Sequence, residues 1–179
     1  MQRLPLFYQT VFLLSVFMLS AFLASVFAPP VWANSPCHTD GYKQWDFWLG
    51  EWTVTSLEGA PQGTNKISKV ENGCLILEQW TSVQGGTGQS YNYFNPASGQ
   101  WHQLWVSPGA IIDYHGGLTE DGAMSLEGTI TYHSNGVVAR FKGKWTPQQD
   151  GTVLQELDQY NSETELWEVW FKGIYSRTN

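Results

Sequence analysis

The stretch that decides the fold class of this chain of 179 residues is QWHQLWVSPGAIIDYH, residues 100–115. Its two halves, residues 100–106 and 110–115, are rich in aromatic and β-branched residues, which favour β-strands. Between them, the tripeptide Ser-Pro-Gly at 107–109 supplies the residues of a tight turn. The stretch therefore predicts an antiparallel β-hairpin.

The same pattern of a strand-like run followed by a turn signal recurs along the rest of the chain. The predicted strands cover residues 50–57, 64–70, 74–83, 87–94, 100–106, 110–115, 123–132, 137–145, 152–160 and 166–175. Residues 42–49 are expected to form a short helix, with Tyr42, Trp45, Trp48 and Leu49 on one side. The recurring strand-like runs predict an all-β fold. Closure of the sheet into a barrel is favoured because it removes exposed strand edges. This fold is an up-and-down antiparallel β-barrel of about ten strands with a short N-terminal helical cap, and an open β-sandwich is the alternative.

Residues 1–33 have the pattern of a secretory signal peptide. The run at 11–27 is nearly unbroken in its apolar character, and Val31 and Ala33 occupy the −3 and −1 positions of a cleavage site. Cleavage leaves residues 34–179 as a single domain, which we expect to be periplasmic or secreted and not stably inserted in a membrane. An uncleaved anchor helix is the alternative.

Composition and charge limit the classes of function. The chain carries 9 Lys and Arg against 16 Asp and Glu, a formal net charge of −7. Because phosphate binding requires clustered cations, we expect no nucleic-acid partner. Aromatic residues make up 15% of the chain, a composition that excludes an intrinsically disordered protein. The oligomeric state is left open.

The cysteine content of the chain points to a single crosslink. Cys37 and Cys74 are its two cysteines, and thiols of exported proteins tend to oxidise, so a disulfide between them is expected. A metal-binding pair or reactive thiols are the alternatives, although the spacing does not match a CxxC motif.

The run FWLGEW, residues 47–52, places a Gly-x-Trp motif at the start of the first predicted strand. Together with the closing run GIYSR, residues 173–177, it resembles the calycin superfamily of lipocalins, fatty-acid-binding proteins and nitrobindin-like barrels. The predicted mature domain also resembles an uncharacterised family of exported bacterial lipocalin-like proteins. This resemblance implies that Gly50 and Trp52 are structural, and that Arg177 packs over Trp52 at one end of the barrel.

The resemblance also bears on cofactors and catalysis. Nitrobindin-like proteins hold haem through a histidine late in the chain, whereas no histidine follows His133 in this sequence. We therefore expect no haem and no other cofactor. No nucleophile lies in a recognisable catalytic turn motif, so a catalytic triad is not assigned.

The first candidate for ligand contact is a polar residue within an apolar strand. Glu78 and Trp80 share one strand face, so Glu78 becomes a buried carboxyl group if that face points inward. Burial would raise its pKa, and such a group can bind a ligand or transfer a proton. The alternative is a structural ion pair or hydrogen bond with a partner such as Arg140 or Lys144.

Further candidates lie on the central hairpin and the strand before it. Together with Ile112 and Tyr114 across the turn, one face of the hairpin forms an aromatic surface with placed amide and hydroxyl groups, which is typical of small-molecule sites. Simple core packing is the alternative. The candidate ligand contacts are Glu78, Trp80, Tyr91, Tyr93, Trp101, Gln103, Trp105 and Tyr114, with Asn92 as the alternative to Tyr91 and Tyr93.

The hairpin also brings two histidines together. A turn centred on residues 108 and 109 pairs His102 with His115, and it places Asp113 on the same face. Two histidines and a carboxylate can hold a metal ion. A solvent-facing polar hairpin is the simpler interpretation, and we expect no metal.

These observations favour an exported, noncatalytic barrel that binds a small apolar or amphipathic molecule. One alternative is a barrel enzyme of the lyase or isomerase type, which would use an interior carboxyl group such as Glu78 for proton transfer. The other alternative is a structural protein of the cell envelope. The environment of Glu78 separates the first two hypotheses, because an exposed Glu78 would remove the reason for catalysis.

Overall fold

A computed structural model describes residues 36–178, and the predicted signal peptide, residues 1–33, lies outside them. Short 3₁₀ turns at Pro36–His38, Asp40–Lys43 and Asp46–Trp48 precede the first strand, and another, Glu71–Gly73, joins the second and third strands. The strands are β1 Gly50–Thr55, β2 Pro61–Val70, β3 Leu75–Ser82, β4 Thr87–Asn95, β5 Gln100–Val106, β6 Ala110–Leu118, β7 Met124–Tyr132, β8 Val138–Pro147, β9 Val153–Asn161 and β10 Leu166–Arg177.

The strands form a closed, ten-stranded, antiparallel up-and-down barrel, as the sequence predicts. Each strand pairs with its neighbours in sequence, and β1 pairs with β10 to close the sheet. The open β-sandwich is therefore wrong. The closed barrel is consistent with a calycin or lipocalin-like fold.

Two local predictions are corrected. The expected helix over residues 42–49 is replaced by separate 3₁₀ turns, although its apolar side is correct because Tyr42, Trp45 and Trp48 are buried. The strand predicted over residues 110–115 does not end before the two glycines that follow it, since β6 continues through Gly116 and Gly117 and pairs with β7 up to Leu118. The end of β6 is set by its pairing with β7, and a local turn signal in the sequence does not report this pairing.

One end of the barrel is filled by tryptophan side chains from the segment before β1 and from β8; we call it the closed end. Trp45, Trp48 and Trp145 are each 0% exposed. The Trp45 ring stacks on Trp48 at 5.2 Å and meets Trp145 edge-on at 5.0 Å, both between ring centroids. Such contacts add to the hydrophobic burial itself, so this end is a packed core.

The Gly-x-Trp motif anchors the closed end in the way that the resemblance implies. The Arg177 guanidinium lies 4.4 Å from the centroid of the Trp52 ring, and it donates a hydrogen bond of 3.0 Å to the Leu49 carbonyl. Gly50 has a φ of 136°, and a β-carbon there would lie 2.5 Å from the Arg177 guanidinium. Glycine is therefore required where the cation passes over the first strand.

A disulfide joins Cys37 to Cys74 with a Cα–Cα distance of 5.0 Å, as predicted. It ties the first 3₁₀ turn to the connection between β2 and β3, which lies at the closed end. Within residues 36–178, none of the helices has the length and apolar character needed to cross a membrane.

Candidate functional site

The middle of the barrel interior carries a chain of hydrogen-bonded polar side chains, which we call the polar belt. Strand alternation turns these side chains inward from seven of the ten strands. Two of the members are tyrosines, and the other six are the polar side chains buried within the described residues. The belt consists of Asn65, Glu78, Ser90, Asn92, Gln103, Tyr114, Gln155 and Tyr175.

Glu78 occupies the centre of the polar belt and is 4% exposed. Its Oε1 accepts a 2.7 Å hydrogen bond from Asn65 Nδ2, and its Oε2 accepts a 2.6 Å bond from the Ser90 hydroxyl. Both partners are neutral. Burial therefore outweighs the two hydrogen bonds and raises the pKa of Glu78 from 4.5 to about 7.

On one side of Glu78 the polar belt continues through a tyrosine. Asn65 Nδ2 also donates to the Tyr175 hydroxyl over 3.2 Å, and that hydroxyl donates to Gln155 Oε1 over 2.6 Å. Burial, followed by the charge of Glu78, raises the pKa of Tyr175 well above its usual value. The phenol is therefore a neutral hydrogen-bonding group at physiological pH.

On the other side the polar belt passes through two amides to a second tyrosine. Asn92 Nδ2 donates to Ser90 Oγ over 2.8 Å, Gln103 Nε2 donates to Asn92 Oδ1, and the Tyr114 hydroxyl donates to Gln103 Oε1. Burial again raises the pKa of Tyr114 well above its usual value, and Glu78 contributes to this increase. The belt thus holds a single carboxyl group among neutral partners.

A cavity of about 160 Å³ lies above the polar belt, on the side away from the closed end. Its floor is formed by polar belt members, and its walls are apolar and mostly aromatic. The cavity therefore has the character of a small-molecule site, in which an apolar lining surrounds a few placed polar groups. The lining residues are Glu78, Trp80, Gln103, Trp105, Ile112, Tyr114, Gln155, Leu157, Trp170, Phe171 and Tyr175.

Two local features position the aromatic walls. A β-carbon at Gly88 would overlap the Trp105 ring, so glycine at this position lets the indole pack closely against β4. A β-bulge between Val169 and Phe171 inserts Trp170 into β10. Bulges re-aim side chains, and Trp170, 45% exposed, contributes to the cavity lining at its edge.

The structure brings five of the eight predicted contacts to the cavity: Glu78, Trp80, Gln103, Trp105 and Tyr114. Trp101 is buried elsewhere, because its ring packs against Trp45 at the closed end and its Nε1 donates to Gln44. The face of Trp80 and Glu78 points inward, which makes Glu78 the buried carboxyl group that the alternation allowed.

The placement of Tyr91 and Tyr93 on the interior surface is corrected. Both side chains are 44% exposed, whereas Asn92 between them is 0% exposed and belongs to the polar belt. Successive residues of a strand face opposite sides, and both faces of β4 carry large or polar residues. The alternative that names Asn92 is therefore the one that the fold supports.

The proposed ion pair of Glu78 with Arg140 or Lys144 is also corrected. Arg140 pairs with Glu127 at 2.6 Å and Lys144 with Asp121 at 3.1 Å. Both basic residues lie on β8, and their salt bridges are on the solvent-exposed surface. The hydrogen-bond partners of Glu78 are instead the neutral side chains of Asn65 and Ser90.

The predicted pairing of the central hairpin is confirmed, since His102 lies opposite His115 and Leu104 opposite Asp113. The two imidazole rings stack with centroids 5.4 Å apart, and Asp113 and His115 are exposed on the outer face. In the described part of the chain, no cluster of three or more His, Cys, Asp or Glu side chains has the arrangement of a metal site.

Sequence reasoning missed part of the cavity. Gln155 and Tyr175 alternate with apolar neighbours on inward faces, which is the same signal that selected Glu78, and it could have found them. Trp170 and Phe171 depend on the β-bulge, whose position is decided by pairing with β9. The missed lining residues are Leu157, Gln155, Trp170, Phe171 and Tyr175, and the missed partners of Glu78 are Asn65 and Ser90.

Comparison of the sequence with models of known protein families found no match. Comparison with curated proteins found no match either. The site is therefore interpreted from its own geometry and chemistry.

Proposed function

We propose that this protein is a small-molecule-binding barrel that takes an apolar or amphipathic ligand into the cavity above the polar belt. The observation that carries the proposal is the combination of aromatic walls with a polar floor in a space of about 160 Å³. An apolar cavity of about 150 Å³ is large enough for benzene. The ligand is therefore small, with an apolar body against the walls and a polar group on the floor.

The proposal includes export of the mature domain, residues 34–179, to the periplasm or beyond the cell. The Cys37–Cys74 disulfide supports it, because disulfides persist in oxidising compartments. The FWLGEW opening and the barrel support membership of the exported bacterial lipocalin-like family that the sequence resembles.

Native mass spectrometry of the mature protein, purified from the envelope of its own host, tests the binding function. We expect a co-purified small organic molecule whose mass fits the cavity. A variant with the cavity filled, Leu157→Trp, should lose the molecule, because Leu157 forms part of the wall. The matched control is Val169→Trp, which introduces the same side chain at an outer-face position that is 61% exposed.

The outcomes of this experiment show whether the protein binds a small molecule and whether the cavity is its site. Loss of the molecule in Leu157→Trp but not in Val169→Trp supports the cavity as its site, provided that circular dichroism shows both variants folded. Equal occupancy of both variants places the ligand elsewhere. A ligand-free wild-type protein that also binds no compound from a library of small fragments contradicts the binding function and favours a structural role in the envelope.

A proton-transfer enzyme is the second candidate, and the pKa of Glu78 favours it. A general acid or base works best when its pKa lies near the working pH, and Glu78 lines the cavity with a pKa of about 7. Solvent hydrogen exchange into the bound molecule tests this candidate. Deuterium incorporation by the wild type, lost in Glu78→Gln, would support catalysis; incorporation unchanged in Glu78→Gln would contradict it.

A further inference from the structure

We propose that the ligand of the cavity is a small organic cation, a protonated amine whose ammonium group is held by Glu78 while its apolar body lies among the aromatic walls. This inference rests on the proposed binding function and names the chemical class of the ligand. Its basis is a carboxyl group that lines the same cavity as four aromatic walls, Trp80, Trp105, Trp170 and Phe171, with no cationic side chain in the lining.

The first step of the argument is the charge of the lining. Glu78 is the only carboxyl group among the lining residues, which include no Lys, Arg or His. Within the described residues, no salt bridge involves Glu78. A buried charge without a partner is costly, so the ionised carboxylate is stabilised when a ligand brings a positive charge.

The second step is the hydrogen-bonding capacity of the carboxyl group. Each Glu78 oxygen accepts one hydrogen bond, from Asn65 or from Ser90, and a carboxylate oxygen has two lone pairs. One acceptor position on each oxygen is therefore available for an N–H group of a ligand. Charge-assisted bonds of this kind are stronger than neutral ones.

The third step is the aromatic wall. Trp80, Trp105, Trp170 and Phe171 line the cavity with Glu78, and the Trp80 and Phe171 rings meet edge-on with centroids 6.4 Å apart. Aromatic faces attract cations and also cover the alkyl or aryl part of an amine. The net charge of −7 further favours the approach of cations over anions.

The fourth step is the effect of pH. An ammonium group binds best to the ionised form of Glu78, whose pKa burial raises to about 7. The other titratable groups that face it are Tyr114 on β6 and Tyr175 on β10, whose pKa values are raised well above the usual range. From β2, β4, β5 and β9 the facing polar groups are amides and a hydroxyl, which do not titrate. Glu78 therefore controls the pH dependence of binding in this range.

The experiment compares benzylamine, which is protonated at neutral pH, with benzyl alcohol, its neutral analogue of nearly the same shape. Isothermal titration at pH 5, 6, 7 and 8 measures both affinities on the mature, disulfide-bonded protein. At pH 8 we expect benzylamine to bind about tenfold more tightly. Its affinity should fall by about tenfold per pH unit below pH 7, where the ionised fraction of Glu78 shrinks, while benzyl alcohol shows no such loss.

Two variants assign the effect to Glu78. Glu78→Gln should abolish the preference for benzylamine and its pH dependence while binding of benzyl alcohol continues. The matched control Glu127→Gln removes one negative charge from the exposed outer face, where Glu127 pairs with Arg140, and it should behave as the wild type. If Glu78→Gln does not fold, the pH dependence of the wild type tests the same inference without a substitution.

The contrary outcomes are distinguishable. Equal or tighter binding of benzyl alcohol at pH 8, unchanged in Glu78→Gln, overturns the cation inference and supports the binding function with a neutral ligand. Binding of neither probe overturns the cation inference for a cavity of this size. Only a wild-type protein that also carries no molecule in native mass spectrometry and binds no fragment overturns the binding function itself.

Discussion

The closed end and the cavity are both built from tryptophan, yet they differ in what surrounds the indole rings. At the closed end Trp45, Trp48 and Trp145 contact one another and are 0% exposed. Around the cavity, Trp80 and Trp105 are only partly buried, and their side of the barrel includes Glu78. The polar belt separates these two regions.

This difference shows that tryptophan content by itself does not mark a binding site. Indole rings that meet other rings on every side fill space and stabilise the fold. Indole rings that border a carboxyl, amide or hydroxyl group instead form an apolar wall beside polar groups, which is the character of a small-molecule site. The polar residue on the same strand face, here Glu78 beside Trp80, is therefore the more informative signal.

The largest expected effect is a loss of stability caused by a substitution at the closed end. Trp52→Ala removes a buried indole from beneath Arg177 and should lower the free energy of unfolding by about 3–5 kcal/mol. Binding per folded molecule should be retained, because Trp52 does not line the cavity. Urea denaturation and ligand titration of the folded fraction measure the two quantities.

The matched substitution in the other half is Trp105→Ala. Trp105 is partly exposed and forms a wall of the cavity, so this variant should lose less stability than Trp52→Ala and more affinity for the ligand. The contrast between the two regions fails if Trp52→Ala weakens binding as much as Trp105→Ala does.

The next largest effect concerns the disulfide at the closed end. Cys37→Ser/Cys74→Ser removes a crosslink between residues 37 positions apart. In the chain-entropy model this lowers the free energy of unfolding by about 3–4 kcal/mol. The identity of the bound ligand should not change, since neither cysteine lines the cavity. Equal melting temperatures of the oxidised and reduced wild type would contradict this prediction.

The third effect is the pH dependence of stability due to Glu78. Its pKa is 4.5 as an ordinary side chain and about 7 in the fold, so between these pH values the folded protein retains a proton that the unfolded chain has lost. The free energy of unfolding therefore decreases as pH rises from 4.5 to 7. The full loss, reached above pH 7, is on the order of 3 kcal/mol.

Comparison of wild type and Glu78→Gln at each pH isolates this contribution. Asp121 and Asp150, whose pKa values are lowered, act in the opposite sense at lower pH, but they are present in both proteins. The stability difference between the two proteins should therefore change with pH in the window from 4.5 to 7. A constant difference would show that Glu78 titrates normally in the fold.

Much of the fold followed from local signals in the sequence. All ten predicted strands exist, and β5 has the predicted bounds, because tight turns and apolar runs are local properties. The pairing of His102 with His115 followed in the same way from a two-residue turn. The closure of β1 onto β10 was inferred from the number of hairpins and from the cost of exposed edges.

The site was predicted only where alternation was unambiguous. Glu78 stands out because its strand face is otherwise apolar, whereas β4 carries Tyr91 and Tyr93 on one face and Asn92 on the other, so its inward face was undetermined. The contribution of Trp170 depends on a bulge that arises from pairing with β9. Cross-strand register of this kind is a tertiary property that one strand does not encode.

The smallest effects come from two neighbouring residues of β4 on opposite faces. Asn92→Ala breaks hydrogen bonds to Ser90 and Gln103 in the polar belt and should cost about 1–3 kcal/mol, because buried partners are left unsatisfied. Tyr91→Ser changes a side chain that is 44% exposed, so its effect should stay within about 0.5 kcal/mol. Tyr91→Ser should also leave ligand affinity unchanged, while Asn92→Ala weakens binding by disturbing the floor of the cavity. Chemical denaturation and ligand titration of both variants test this, and a loss of affinity in Tyr91→Ser would mean that the outer face of β4 takes part in binding.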